Sequence, residues 1–383
     1  MLNGPYAETA LVPAAIAASE SNGILTIDLS ALADNWRLLS ARVAPAECAA
    51  VVKANAYGIG IEQAVPALAQ AGCKTFFTAH VSEAIRARKV APQAVIYVLN
   101  GLASDSVGLY AKHGLRPVIA SVENLHEWQT STPLRPFALH VVTGMNRLGL
   151  ERGTERDFAA HLVTQPALLM SHFIAAEEPD NPANQRQIAQ FELLRTYFDG
   201  SVHASLANSS GIFLASHPFY ELVRPGFALY GGNPTPGHAN PMRPVLSLRV
   251  RILELRSVEI GETVGYNARW TAKRRSHLAT LSLGYADGFP VGAGDMDGRT
   301  TPGAEAIVAG HRCPFVGRTS MDLTVVDVTN VPEQQLDTAT VAEVLNAKIT
   351  VNDLAARSGA IGYAILTSLG LRFTRVYVGG VRP

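Results

Sequence analysis

The sequence predicts an α/β fold, a (β/α)8 barrel of the TIM type over residues 23–245 followed by a mostly β domain over residues 246–383. Three observations predict it. The chain of 383 residues is long enough for two domains. Short apolar runs alternate with helix-like stretches through its first two thirds. Near residue 245 the pattern changes to period-two alternation between turn signals. Residues 1–22 read as an N-terminal extension.

The apolar runs are AAVVKA (49–54), TFFTA (75–79), AVIYVL (94–99), RPVIA (116–120), FALHVV (137–142), ALLMSHFI (167–174), VHASLAN (202–208) and ELVRPG (221–226). Eight such runs, most of them separated by helices, make the count of a closed barrel, with the fourth and eighth short. IEQAVPALAQAG and NQRQIAQFELLRTYFDG are the clearest amphipathic stretches, and VSEAIRARK offers Ser82 as an N-cap. Beyond the barrel, VLSLRVRILELRSVEI alternates with period two, and HLATLSLGYADG, AIVAG, RCPFVGR and MDLTVVDV continue the strand signal.

Composition narrows the function classes. Hydrophobic residues are 48% and charged ones 17%, which supports sizeable cores. Lys plus Arg and Asp plus Glu are 32 each, for zero net charge, which argues against nucleic acid or an anionic membrane as partner. Cys48, Cys73 and Cys313 form no CxxC motif and read as reduced structural thiols, so the expected compartment is the cytoplasm. No apolar run reaches membrane-spanning length. ALVPAAIAASES is alanine-rich, but the first basic residue is Arg37, so a signal peptide's positive flank is missing. Asn208 fits a glycosylation triplet that is common by chance. No metal-ligand spacing stands out.

AVVKANAYGIG (50–60) puts Lys53 where an apolar run meets a glycine-rich turn. Desolvating an ammonium there pushes it towards the neutral amine, a nucleophile and a base. The alternative is a strand-end lysine that snorkels to solvent. Tyr57, four residues on, is placed to share the same cavity. Gln63 stands where a dinucleotide fingerprint would need its third glycine. Arg147, in TGMNRLG, is either a fork for a carboxylate or phenolate or a loop arginine paired on the surface. His172, inside SHFI, reads first as a satisfied core histidine. Ser209 in ANSS and Arg224 and Gly226 in VRPG close the last two runs, where barrels of this kind hold phosphate.

With VGYNARWTA, GYADGFP, VGRTSMD and IGYAILTSLG added, these motifs resemble alanine racemases from about residue 24 to residue 380. The resemblance implies pyridoxal phosphate as cofactor and a homodimer with shared sites. It implies Lys53 as the cofactor's covalent anchor, with Tyr57, Ser209, Gly226, Phe227 and Tyr363 around the phosphate. Arg224 would face the pyridine nitrogen, with His172 behind it. Arg147, Met321 and Asp322 would bind the substrate carboxylate, and Tyr285 and Arg318 would line the entrance. Tyr266 would be the second base, supplied by the other subunit. Racemisation takes a proton from one face and returns it on the other, so two bases are needed.

The sequence departs from the family pattern at several positions. His140 stands where a lysine, sometimes carbamylated, is usual, and Val142 replaces an aspartate before TGM. Val291 and Ala364 replace an arginine and a glutamate, and Glu177 an aspartate. Three further readings remain open: a racemase of broader substrate range, a related decarboxylase, and a non-catalytic carrier of pyridoxal phosphate. VGYNARW and GRTSMD fit the racemase better than the decarboxylase.

Overall fold

The computed structural model describes residue 21 and residues 23–132, 134–151, 153–160, 162–215, 218–337 and 340–380. The chain divides into two compact units, one of them Leu32–Arg243 and the other made of the residues on either side of it.

The first unit is the expected barrel. Seven parallel strands follow one another in sequence order: Ala50–Val51, Thr75–Thr78, Val95–Val98, Arg116–Ile119, Ala138–His140, Leu168–Met170 and His203–Ser205. The eighth, Leu222–Val223, closes the ring. The amides of Ala49 and Val51 donate to Val223 and Pro225 on one side, and the Arg224 amide donates to Ala207 on the other. The strands are buried on both faces, as parallel strands under a coat of helices must be, which is why they read as unbroken apolar runs. Register places Met170 level with His140 and with Ser205, so these three side chains share one face of the sheet. One helix starts earlier than the sequence suggested. The N-cap of Val81–Val90 is His80, not Ser82, and the Glu83 carboxylate satisfies the amides of Ala79 (3.0 Å) and His80 (3.3 Å).

The second unit corrects the expected barrel boundary. Gly23–Asp28 pairs antiparallel with Leu246–Val258 and parallel with Thr374–Val378, so residues 23–31 belong to the β unit and not to the barrel. The physical reason is alternation: Leu25 and Ile27 are fully buried while their neighbours are half exposed, a pattern that suits a one-sided sheet. Leu246–Val258 pairs with Val341–Leu345 through its first half and with Ser276–Leu281 through its second. A register break between Ile252 and Glu254 lets one strand serve both neighbours. With Thr324–Asp327, His311–Val316 and Glu305–Val308 the ring closes, giving a small six-stranded antiparallel barrel. Helices Val351–Ser358 and Gly362–Ser368 complete the unit.

Apart from Ser21, the extension expected over residues 1–22 lies outside the described residues. Cys48, Cys73 and Cys313 are free and buried. Among the described residues no helix is long and apolar enough to cross a membrane.

Candidate active site

Lys53 leaves the first barrel strand into a turn of unusual hand. Ala54, Asn55, Ala56 and Tyr57 all have φ between 50° and 55°. Each L-residue held there costs roughly 1–2 kcal/mol, somewhat less for asparagine. Other groups hold the turn in place. Glu83 Oε1 accepts from the Asn55 amide (3.0 Å), and Asn55 Oδ1 accepts from Arg86 (2.6 Å) and from the Ile61 amide (3.2 Å). Arg86 is itself fixed by Glu62 at 2.6 Å. The Tyr57 ring stacks on Tyr230, with centroids 4.5 Å apart and 21° between planes. Burial lowers the pKa of Lys53, and the Arg147 charge lowers it further, against a smaller opposing pull from Glu83. The shift is in the direction of the neutral amine that a nucleophile or base requires.

Arg224, 3% exposed, follows the eighth strand. Its guanidinium donates to Ser205 Oγ and to the Ser171 carbonyl, and it lies 3.5 Å from His172 Nδ1. The Phe77 ring covers it with the centroid 5.9 Å away. These partners are all neutral. Burial brings the Arg224 pKa down to about 9, so it remains a cation at neutral pH. Burial, then the charges of Arg224 and Lys53, push His172 well below its ordinary range. Burial, Arg224 and Arg147 lower His140 to about 4. Both imidazoles are therefore neutral at pH 7, and His172 is a partner of Arg224 rather than an isolated core histidine.

Beside this cationic group lies a cradle of hydroxyls and amides. Ser209 Oγ, after the seventh strand, accepts from the amides of Gly226 (3.0 Å) and Ala228 (3.1 Å). A β-carbon at Gly226 would fall 2.3 Å from the Tyr57 hydroxyl oxygen, so that hydroxyl lies directly against the Gly226 backbone. Burial raises the Tyr57 pKa and keeps the phenol protonated as a donor. Phe227 opens the short turn Phe227–Tyr230, and its ring occupies the space that a side chain at Gly232 would need. Serine hydroxyl, phenol and backbone amides thus gather at the C-terminal ends of the last two strands, a setting suited to a phosphate.

The second unit gathers the other expected residues at one end of its barrel. Tyr266, 68% exposed, follows Gly265, whose backbone runs beside Arg318. Gly284 packs against the Met321 carbonyl, the Tyr285 amide donates to Ser320 (3.0 Å) and the Ala286 amide to Met321 (2.9 Å). Tyr285 and Met321 are exposed. Asp322 pairs with Arg372 at 2.8 Å, and Arg372 also meets the fully buried Asp287 at 3.2 Å. Tyr363 lies half-buried on Gly362–Ser368. Val291 is exposed and Ala364 half-buried.

Sequence reasoning missed Ser171, Ser205 and Phe77 around Arg224, Glu83 behind the lysine turn, and Arg372. Ser205 carried a faint signal, a hydroxyl at the centre of an apolar run. The others show their role only through contacts distant in sequence.

Residues 27–234 match the family described as alanine racemase, N-terminal domain, and residues 245–377 match alanine racemase, C-terminal domain. The chain belongs to the alanine racemase family. An alanine racemase of Methylobacterium nodulans is 52% identical over 372 residues, covering 95% of this chain and 98% of the relative. The alanine racemase of Bartonella henselae, solved with covalently bound pyridoxal phosphate, superposes with a TM-score of 0.87 at 35% identity, over 94% of this chain and all of that one. The biosynthetic alanine racemase of Pseudomonas aeruginosa gives 0.86 at 32% identity, with 94% and 100% coverage. Barrel and β unit thus both carry the alanine racemase architecture, and the chain is an amino-acid racemase by family.

Proposed function

We propose that this chain interconverts L- and D-alanine with pyridoxal phosphate anchored on Lys53, and that each active site is completed by a second copy of the chain. The observation that carries the reading is Arg224, a buried cation whose partners among the described residues are neutral, grouped with a lysine whose pKa burial lowers. Such a cup suits a ligand that offers both a further acceptor and an anion. Pyridoxal phosphate offers both, a ring nitrogen and a phosphate, and the Ser209–Gly226–Tyr57 cradle suits the latter. When bound, the cofactor supplies an electron sink that acidifies the substrate's α-carbon.

The residues divide the work. Lys53 Nζ tethers the cofactor and moves the α-proton on one face. Tyr57 and Ser209, with Gly226 and Phe227 beside them, hold the phosphate, with Tyr363 contributing. Arg224 donates a hydrogen bond to the ring nitrogen without giving up its proton, because even a guanidinium lowered to about 9 stays a cation at neutral pH. That restrains side reactions which need a fully protonated ring. Arg147 and the Met321–Asp322 segment orient the substrate carboxylate, and Tyr285 and Arg318 narrow the entrance. The partner subunit's Tyr266 moves the α-proton on the opposite face, a role its exposure permits.

A chiral assay tests the reading. Purified protein loaded with cofactor should racemise alanine from either enantiomer, and a panel of larger amino acids should turn over more slowly. Borohydride should fix the cofactor to the peptide that contains Lys53. Mixing Lys53→Ala with Tyr266→Phe chains should restore activity, because one hybrid site then holds both bases. No recovery despite demonstrated subunit exchange would exclude shared sites.

A further inference from the structure

The helix Pro182–Arg195 buries amides where a surface helix usually buries alkyl groups. Asn184 is 2% exposed and Gln187 is 1% exposed. Three-residue spacing puts Asn181, Asn184 and Gln187 on one helix face. Asn184 Nδ2 holds the carbonyls of Ala175 (3.2 Å) and Glu178 (3.0 Å). Gln187 reaches two separate segments. Its Nε2 donates to Thr143 Oγ1 at 2.9 Å and to the His172 carbonyl at 2.8 Å, and its Oε1 accepts from the Ile174 amide at 2.9 Å.

Those segments carry the groups that matter. Thr143 opens the loop that holds Arg147, and this loop closes where the Leu150 amide donates to the His140 carbonyl at 2.9 Å. His172 and Ile174 leave the sixth strand. The Thr143 and Ser171 hydroxyls lie 2.7 Å apart, and the Ser171 carbonyl accepts from Arg224. Amide, two hydroxyls and guanidinium form one continuous buried network. Both donor hydrogens of the Gln187 amide are used, so an apolar residue of the same shape cannot replace it without stranding the His172 carbonyl and the Ile174 amide and leaving Thr143 tied to Ser171 alone.

We propose that Gln187 is a positioning residue that staples the Arg147 loop to the His172–Arg224 group, so that the substrate-carboxylate fork and the ring-facing cation keep one mutual geometry. The proposal rests on the roles given above to Arg147 and Arg224. Lys53, Tyr57 and Ser209 are held by other partners, namely the Glu83-bonded turn, the Tyr230 stack and the Gly226 amide. Loss of the staple therefore weakens carboxylate recognition and leaves cofactor attachment intact.

The test compares full-length, cofactor-loaded wild type with Gln187→Leu and Gln187→Glu. In Gln187→Leu, the KM for L-alanine and the inhibition constant for propionate should both rise on the order of tenfold or more, as misplaced positioning groups do. The cofactor's visible absorbance per protomer should stay unchanged. Hydrogen exchange should quicken in both 143–149 and 172–174. Gln187→Glu keeps the acceptor for Ile174 and lacks a donor while ionised, so its KM should fall back towards wild type as the pH is lowered. Unchanged KM and propionate inhibition, or faster exchange confined to one segment, overturns the proposal. If Gln187→Leu does not fold, a pH-independent KM ratio between Gln187→Glu and wild type overturns it. A wild type that does not racemise alanine removes the functional reading alone, and the exchange in the two segments still decides the staple.

Discussion

The Tyr57 hydroxyl lies so close to Gly226 that a β-carbon there would sit 2.3 Å from its oxygen. The contact joins the lysine turn to the eighth strand and sets one wall of the phosphate cradle. Gly226→Ala must displace the phenol, and the stack on Tyr230 resists that. The cost of such overpacking is about 1–3 kcal/mol. The displaced phenol also loses its hydrogen bond to the phosphate, about 1.5–3 kcal/mol for a charged partner, or roughly a 12- to 150-fold weaker Kd. Titrating the cofactor into apoprotein, read by visible absorbance, checks this, and wild-type affinity in Gly226→Ala would remove the cradle from this position.

The left-handed run after Lys53 stores strain. Ala54 is exposed, with φ 53°. Glycine adopts that angle freely but loses about 0.5–1 kcal/mol to chain entropy, against the roughly 1–2 kcal/mol that alanine spends there. Ala54→Gly should therefore leave stability equal or raise it by up to about 1.5 kcal/mol. Ala54→Val, β-branched at positive φ, should lower it. Urea midpoints read both, and a destabilised Ala54→Gly would contradict the strain account.

These residues show what the sequence could and could not disclose. Gly58 and Gly60 announce a turn after Lys53, but Ala54, Ala56 and Tyr57 give no hint of left-handed backbone. The constraint comes from Glu83 and Arg86 on the helix Val81–Val90. The barrel was legible because each buried parallel strand is a short apolar run. Its boundary was not, because GILTID finds its partners in Leu246–Val258 and Thr374–Val378, far away in the chain. Gln187 was invisible for a related reason: a polar residue on an amphipathic helix reads as solvated, and only tertiary contacts reveal a buried staple. Arg147, Ser209 and Arg224 stood out because strand ends are where a barrel concentrates its chemistry.

Acid should weaken the fold through two half-buried imidazoles, His140 and His172. His140 has a pKa of about 4 when folded, against 6.5 ordinarily. Between those values the unfolded chain binds the extra proton, so stability falls as the pH drops from 6.5 towards 4 and does not depend on this group above that window. The difference is worth about 3 kcal/mol at most, and His172, lowered by burial and by the Arg224 charge, acts in the same direction. Denaturant midpoints of apoprotein across this range should slope less steeply in His140→Asn than in wild type. Parallel slopes would mean that His140 is not held neutral.

The two proposed bases act on opposite faces, and isotope exchange can separate them where racemisation cannot. Removing either base stops complete inversion, because inversion needs both. Exchange of the α-hydrogen on the face that keeps its base can continue. By family resemblance Lys53 serves D-alanine and Tyr266 serves L-alanine. Tyr266→Phe keeps the ring and loses only the oxygen that would carry the proton, and at 68% exposure the change costs the fold little. In deuterium oxide, cofactor-loaded Tyr266→Phe should still wash deuterium into D-alanine. Exchange from L-alanine should fall on the order of 10²–10⁴-fold, the usual contribution of a positioned base. Mass spectrometry of the recovered enantiomers measures both rates, with sedimentation confirming an unchanged assembly. Equal loss from the two enantiomers would defeat the two-face assignment and return Tyr266 to a binding role.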